Sequence, residues 1–133
     1  MEVIITRTQK RAIALMVLCT IFTSLGQILW KLGVNKYISN DIFSLLNIPF
    51  VLGFVSYGLG AVLMLIAFRR GELSVLYPIV ATSYIWVSII SPRLFPDDFM
   101  NAWKWSGVIV ILISVSILGW ASSRKKKEEA PHG

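Results

Sequence analysis

The chain has 133 residues, enough for one domain. Hydrophobic residues make up 56% of it and charged residues 15%, against roughly 45–50% and about 25% in a soluble domain, and mean hydropathy is +0.70. This balance excludes a disordered tail, a soluble enzyme and a collagen-like fibre. Cys19 and His132, each the single residue of its type, leave no disulfide framework and no Cys/His metal site. The remaining class is a small all-α integral membrane protein. The net charge of +6 arises from Lys and Arg flanking apolar runs, so it reads as membrane orientation and headgroup contact rather than nucleic-acid binding.

A helix of about 20 apolar residues crosses a bilayer. After a tail at residues 1–11, the first such run covers 12–32. Arg7 to Arg11 followed by an apolar stretch has the outline of a secretory leader, with Ser24-Leu25-Gly26 at a cleavage position. The apolar helix continues through Ile28, Leu29 and Trp30 to a lysine, so a retained span is expected. Within it Thr20, Thr23, Ser24, Gln27 and Lys31 recur at helical spacing and fall in one arc of about 100°. Polar residues in lipid turn toward a bundle interior or a wet cavity. Two readings stand. In one, the hydroxyls bond helices together and Lys31 snorkels to the headgroups. In the other, Gln27 and Lys31 face a polar substrate path, with the lysine suited to an anionic group such as phosphate.

The connection 33–47 includes a candidate interfacial helix over 39–47, with Ser39-Asn40-Asp41 as its cap. The second run, 48–68, carries a seam of small residues, Gly53, Ser56, Gly60 and Ala67, sharing a face with Met64; it reads as a close packing surface. Arg69-Arg70-Gly71-Glu72 permits only a tight turn. The third run, 73–90 with an extension to Leu94, groups Ser74, Tyr77, Ala81, Tyr84 and Ser88 within about 80°. Pro78 removes a donor and frees the Ser74 carbonyl, so a kink is expected to open space beside Tyr77, whose ring and hydroxyl suit an amphipathic ligand. Ordinary helix packing is the alternative. Pro92, Pro96, Asp97 and Asp98 suit a turn in the connection 91–102. The fourth run, 103–120, has little polarity and belongs at a periphery or a subunit contact. A basic tail, 121–133, follows. Trp103, Trp105 and Trp120 mark span ends.

Nine Lys and Arg residues lie on the side of both termini and four, Lys31, Lys36, Arg93 and Lys104, on the other, which predicts cytoplasmic termini in a multi-pass cell-membrane protein. All seven acids lie outside the four spans, so the buried carboxylate of a proton-coupled carrier is missing. There is no phosphate loop, metal cluster or catalytic dyad; neither catalysis nor a cofactor is expected. A β-barrel is excluded by the lack of period-2 alternation.

Several segments resemble a known family. Four spans in this length, Gly26-Gln27-Ile28-Leu29-Trp30-Lys31 in the first, Gly71-Glu72-Leu73-Ser74-Val75-Leu76-Tyr77-Pro78-Ile79 entering the third, and Gly107-Val108-Ile109-Val110-Ile111 in the fourth are similar to the small multidrug resistance-like, EamA-type members of the drug/metabolite transporter superfamily. Leu76-Tyr77-Pro78 and Ile85-Trp86-Val87 look most like the paired small subunits that flip undecaprenyl-phosphate aminoarabinose. Where drug-exporting members carry a membrane glutamate, this chain has Thr23, which argues against carboxylate-driven exchange. The resemblance implies a four-helix transporter subunit at 12–120 that moves an amphipathic, anionic lipid-linked sugar between helices one and three. The expected substrate-binding residues are Thr23, Gln27, Lys31, Tyr77 and Tyr84. The expected partners are membrane lipids and a second four-span subunit. The charge bias disfavours an inverted homodimer and favours a paralogue of opposite orientation, giving inverted pseudo-symmetry. The alternatives are a non-transporting assembly subunit of a glycolipid-modifying complex and a drug or cation exporter without the usual carboxylate.

Overall fold

Each of the four apolar runs forms a helix. The computed structural model describes residues 7–37, 39 and 41–128. The helices are α1 (Arg7–Val34), α2 (Ile48–Arg70), α3 (Leu73–Leu94) and α4 (Ala102–Glu128), with a 3-10 turn over Ile42–Leu45. All four are long and apolar enough to span a bilayer.

The helices run beyond the apolar segments expected from hydropathy. α4 continues from Trp120 to Glu128, because 121–128 contains neither Gly nor Pro and its basic residues complement the negative end of the helix dipole. Arg124 adds a stacking contact, its guanidinium carbon 4.5 Å from the Trp120 ring centroid. α3 passes through Pro92 and ends at Leu94, so the turn expected at Pro92 begins only after Phe95. In the last helical turn a proline removes one ladder bond, to Ser88, and leaves little helix beyond it to disturb. Of the proposed 39–47 interfacial helix, the structure forms Ile42–Leu45, capped by Asp41, whose side chain accepts from the Phe43 N–H at 3.0 Å. Asn40, part of the proposed cap, lies outside the described residues.

α1 is central. It lies between α2 and α3, while α4 packs on α3 and α2 barely touches α3. The α2 seam meets α1 as expected: Gly53, Ser56, Gly60 and Ala67 are the buried residues of α2. Gly26 and Gly53 face each other so closely that a Cβ on Gly26 would lie 2.9 Å from the Gly53 carbonyl oxygen. Ser56 reinforces the seam by donating to the Phe22 carbonyl at 2.8 Å. Asn47 ties the far ends together: its side chain accepts from the Phe50 N–H at 3.0 Å, capping α2, and donates to the Gly33 carbonyl at 2.8 Å.

Near the tight turn, Ala12, Met16, Cys19, Ala67 and Leu76 form a fully buried cluster. On the Pro78 side the freed carbonyl is met by another helix, while Tyr77, beside which space was expected, is 45% exposed. Gly119 of α4 approaches the freed Ser74 carbonyl, and a Cβ there would lie 2.5 Å from that oxygen and 3.3 Å from the Pro78 ring. The missing donor thus creates a docking point for α4. α4 is otherwise peripheral, with Ile109, Val110, Ile113, Ile117 and Leu118 exposed.

Candidate functional site

The polar row of α1 divides by function along its length. Thr20 is buried and donates to its own helix at the Val17 carbonyl, 2.7 Å. Thr23 does likewise, to the Cys19 carbonyl at 2.9 Å, while its methyl packs against Gly60. Ser24 reaches across to α3 and donates to the Ser83 carbonyl at 3.4 Å. Only the Ser24 hydroxyl bonds one helix to another; those of Thr20 and Thr23 are satisfied within α1. Gln27 differs: it is half-buried and its amide has no hydrogen-bond partner among the described residues.

The neighbours of Gln27 define where it lies. Thr23 touches α2 and Ser24 touches α3; Gln27, one turn beyond both, stands between those two contact lines. On α3, the Tyr77 ring meets Phe68 of α2 with centroids 5.6 Å apart, so this face of α3 is turned toward α2. Tyr84 repeats the face two turns on, and Tyr57 lies three turns before Phe68 on the matching face of α2. The Phe68–Tyr77 contact therefore closes the angle between α2 and α3 at the tight-turn end. Beyond it the helices separate over α1. Met16 and Thr20, in the same row as Gln27, are 0% and 1% exposed, whereas Gln27 is half-buried. Tyr57 and Tyr84 are exposed on the two sides.

α1 and α3 themselves are in contact, through Ser24–Ser83 and Lys31–Ser91. α2 and α3 each pack on α1 and barely touch each other, so the candidate groove is the surface between them, with α1 as its floor. Trp30 adds an aromatic wall. Its ring stacks on Tyr57 at 4.9 Å between centroids and tilts against Phe54 at 4.8 Å. Its Nε1–H is buried and unpaired among the described residues.

At the mouth of the groove stands a charged cluster. Lys31 pairs with the Asp98 Oδ2, donates to the Ser91 hydroxyl at 3.5 Å and lies 4.6 Å from the Phe95 ring centroid. Ser91 donates to the same Oδ2 at 2.9 Å, and Lys104 to Oδ1 at 3.1 Å. The Lys31 ammonium above all, then the Ser91 hydroxyl and Lys104, hold the Asp98 carboxyl well below the usual carboxylate range. Two ammonium groups around one carboxylate leave a positive balance.

Sequence reasoning missed Asp98, Ser91, Lys104, Trp30 and Tyr57 as members of this region. Lys31 and Asp98 are 67 positions apart, and only the parallel run of α1 and α3 brings them together. The available signal was topological: the end of span one and the connection after span three share a membrane face.

No protein-family model matches the chain, and no solved structure is significantly similar to it. A curated protein of Escherichia fergusonii, named a probable 4-amino-4-deoxy-L-arabinose-phosphoundecaprenol flippase subunit ArnE, is 26% identical over 106 residues, covering 78% of this chain and 93% of that protein. A Pseudomonas fluorescens Pf0-1 protein of the same name is 25% identical over 111 residues, covering 81% and 96%. The chain is similar to ArnE-type flippase subunits. An uncharacterized Sinorhizobium fredii protein, y4nH, is 36% identical over a shorter stretch of 69 residues, covering 52% of this chain and 59% of that protein. The two ArnE alignments span most of both chains, so the likeness extends over the helical bundle as a whole.

Proposed function

We propose that this chain is one subunit of a small membrane flippase that moves an amphipathic anionic lipid-linked sugar, and that the head group passes along the groove over Gln27. The observation that carries the reading is the unpartnered, half-buried Gln27 amide in an otherwise apolar bundle. An unpaired amide facing hydrocarbon would be unfavourable by about 1–3 kcal/mol; the Gln27 amide is not among the sealed polar atoms, so an opening that admits water or a polar ligand best accounts for it. Sugar hydroxyls match its two donors and one acceptor. Tyr84 and Tyr57 offer rings and hydroxyls to the same ligand, Tyr77 with Phe68 forms the closed end, and Lys31 supplies positive charge at the mouth. Thr23 supports the floor through its contact with Gly60 rather than touching the ligand.

The termini and the Arg69–Arg70 turn, where basic residues are concentrated, lie on the cytoplasmic side in this reading. One four-helix chain encloses little volume, so a second four-span subunit completes the path, and the charge bias favours a paralogue in the opposite orientation. The relatives' printed substrate, an aminoarabinose-phosphoundecaprenol, has the expected chemistry: a sugar, a phosphate and a polyprenyl chain.

The test is reconstitution in liposomes, alone and with a four-span paralogue, using a fluorescent undecaprenyl-phosphate sugar and a membrane-impermeant quencher. The intact system moves the label across the bilayer. Gln27→Leu lowers the rate at least tenfold while the protein remains helical and membrane-inserted. Unchanged transport in that variant would remove the site from the path.

A further inference from the structure

Asp98 sits where a ligand is expected. Lys31, Lys104 and the Ser91 hydroxyl converge on its two carboxylate oxygens. Two ammonium groups and a hydroxyl around one anion are also the donor set that a phosphate group takes. The donors carry twice the charge of the acceptor, so the cluster is not neutralised from within. Its pieces come from three places: α1, the end of α3, and the start of α4 with the connection before it. The aromatic ring of Phe95 holds the Lys31 ammonium in place. Lys31 and Asp98 are each about one-third exposed, with side-chain accessibilities of 36% and 35%, so an anion arriving at the groove mouth meets both of them.

We propose that Lys31, Lys104 and Ser91 form a binding station for a phosphate mono- or diester at the groove mouth, and that Asp98 is its built-in competitor, displaced when the phosphate arrives. The station rests on the flippase reading for its purpose, though not for its chemistry. Without ligand, Asp98 keeps the two lysines from repelling each other and joins the end of α1 to the α3–α4 connection. When phosphate takes over the lysines, Asp98 is repelled by the new negative charge, and the connection between α3 and α4 is released from α1. Binding of the head group is thereby coupled to loosening of the groove mouth. A weak internal competitor also keeps the phosphate from binding so tightly that it is not released.

The test uses the purified full chain in neutral detergent, titrated calorimetrically with undecaprenyl phosphate, with inorganic phosphate, and with phosphatidylglycerol in mixed micelles. Asp98→Asn tightens undecaprenyl phosphate by up to roughly fivefold, the upper end of what a partly exposed ion pair withholds. Lys31→Gln and Lys104→Gln weaken it, and in the Lys31→Gln background Asp98→Asn gives no gain. A second measurement needs no variant. Carboxyl 13C spectra of aspartate-labelled wild type show Asp98 titrating well below the usual carboxylate range without ligand, and moving up toward that range when undecaprenyl phosphate saturates the site. The same response to inorganic phosphate or to phosphatidylglycerol supports the station and identifies which phosphate source it accepts. Unchanged or weaker binding by folded Asp98→Asn, or an Asp98 titration that none of the three phosphates moves, overturns the proposal. If liposome transport fails while the exchange at Asp98 occurs, the flippase reading falls and the station stands; if transport proceeds with Asp98 unmoved, the station falls and the flippase reading stands.

Discussion

Around α1 the same two neighbours pack in two different ways. Near the tight turn, Ala12, Met16 and Cys19 meet Ala67 and Leu76 in a dry, fully buried cluster. At the other end, Gln27 and Lys31 are half-buried, the first with an amide unpaired among the described residues and the second in an ion pair with Asp98. The difference follows from the connections. Gly71 brings α2 and α3 together within a few residues, close enough that a Cβ on it would lie 2.6 Å from the Ala12 side chain. The long connections at the opposite end set no such limit, and there α2 is held to α1 through its seam while α3 is held to α1 through Ser24 and Lys31. α2 and α3 consequently share few contacts with each other beyond the turn. Stability resides in the closed half and along the seam, and the candidate binding surface resides where packing stops.

Substitutions test that division. The largest expected effect is at the seam: Gly26→Leu forces a side chain into the Gly53 and Tyr57 backbone and destabilises by about 3 kcal/mol, whereas Gly58→Leu, where nothing lies within 4 Å, stays within about 0.5 kcal/mol. Thermal unfolding in detergent measures both. Next is the closed half. Leu76→Ala empties a fully buried position and lowers stability by about 2–4 kcal/mol, while Tyr84→Ala in the open half, 47% exposed, changes it by less than about 1 kcal/mol and acts on ligand affinity instead. A stability loss at Tyr84 equal to that at Leu76 would erase the contrast.

The Asp98 pair gives a smaller effect with a defined sign. Its folded carboxyl titrates below the unfolded value of about 3.9, so its stabilisation is fully present above that value and is lost as pH falls through the folded one. The stability difference between wild type and Asp98→Asn, no more than about 1 kcal/mol for so exposed a pair, is constant from about pH 5 to about pH 8 and narrows below about pH 4. The smallest effect is at Trp30. Trp30→Phe removes a buried, unpaired N–H while keeping a ring against Tyr57 and Phe54, and its stability stays within about 1 kcal/mol of wild type. In binding assays it acts only if that N–H pairs with the ligand.

Much of the fold was legible because a bilayer dictates helix length and forbids unpaired backbone. The small-residue seam was legible for a related reason: Gly53, Ser56, Gly60 and Ala67 share one helical face, and lipid gives no hydrophobic drive for helices to associate, so close approach has to supply it. Helix ends were less so, since 121–128 continues the helix by local propensity after apolarity has ended. The polar row of α1 was visible from its period, but periodicity does not separate a hydroxyl that bonds its own helix, as at Thr20 and Thr23, from an amide left free, as at Gln27. The Lys31–Asp98 contact depends on the relative placement of two helices and a connection, which no local pattern encodes. The same holds for the close approach of Gly119 to the Ser74 carbonyl.

The central claim is that the row of α1 side chains opens into a ligand-accessible groove at Gln27 and is sealed at Met16. Single cysteines at these two positions, in a Cys19→Ala background, test it directly with a water-soluble methanethiosulfonate reagent on membrane-embedded protein. The account predicts rapid labelling at position 27, slowed by undecaprenyl phosphate, and none at position 16. Position 27 as unreactive as position 16, or labelled at a rate that the lipid does not alter, would contradict it.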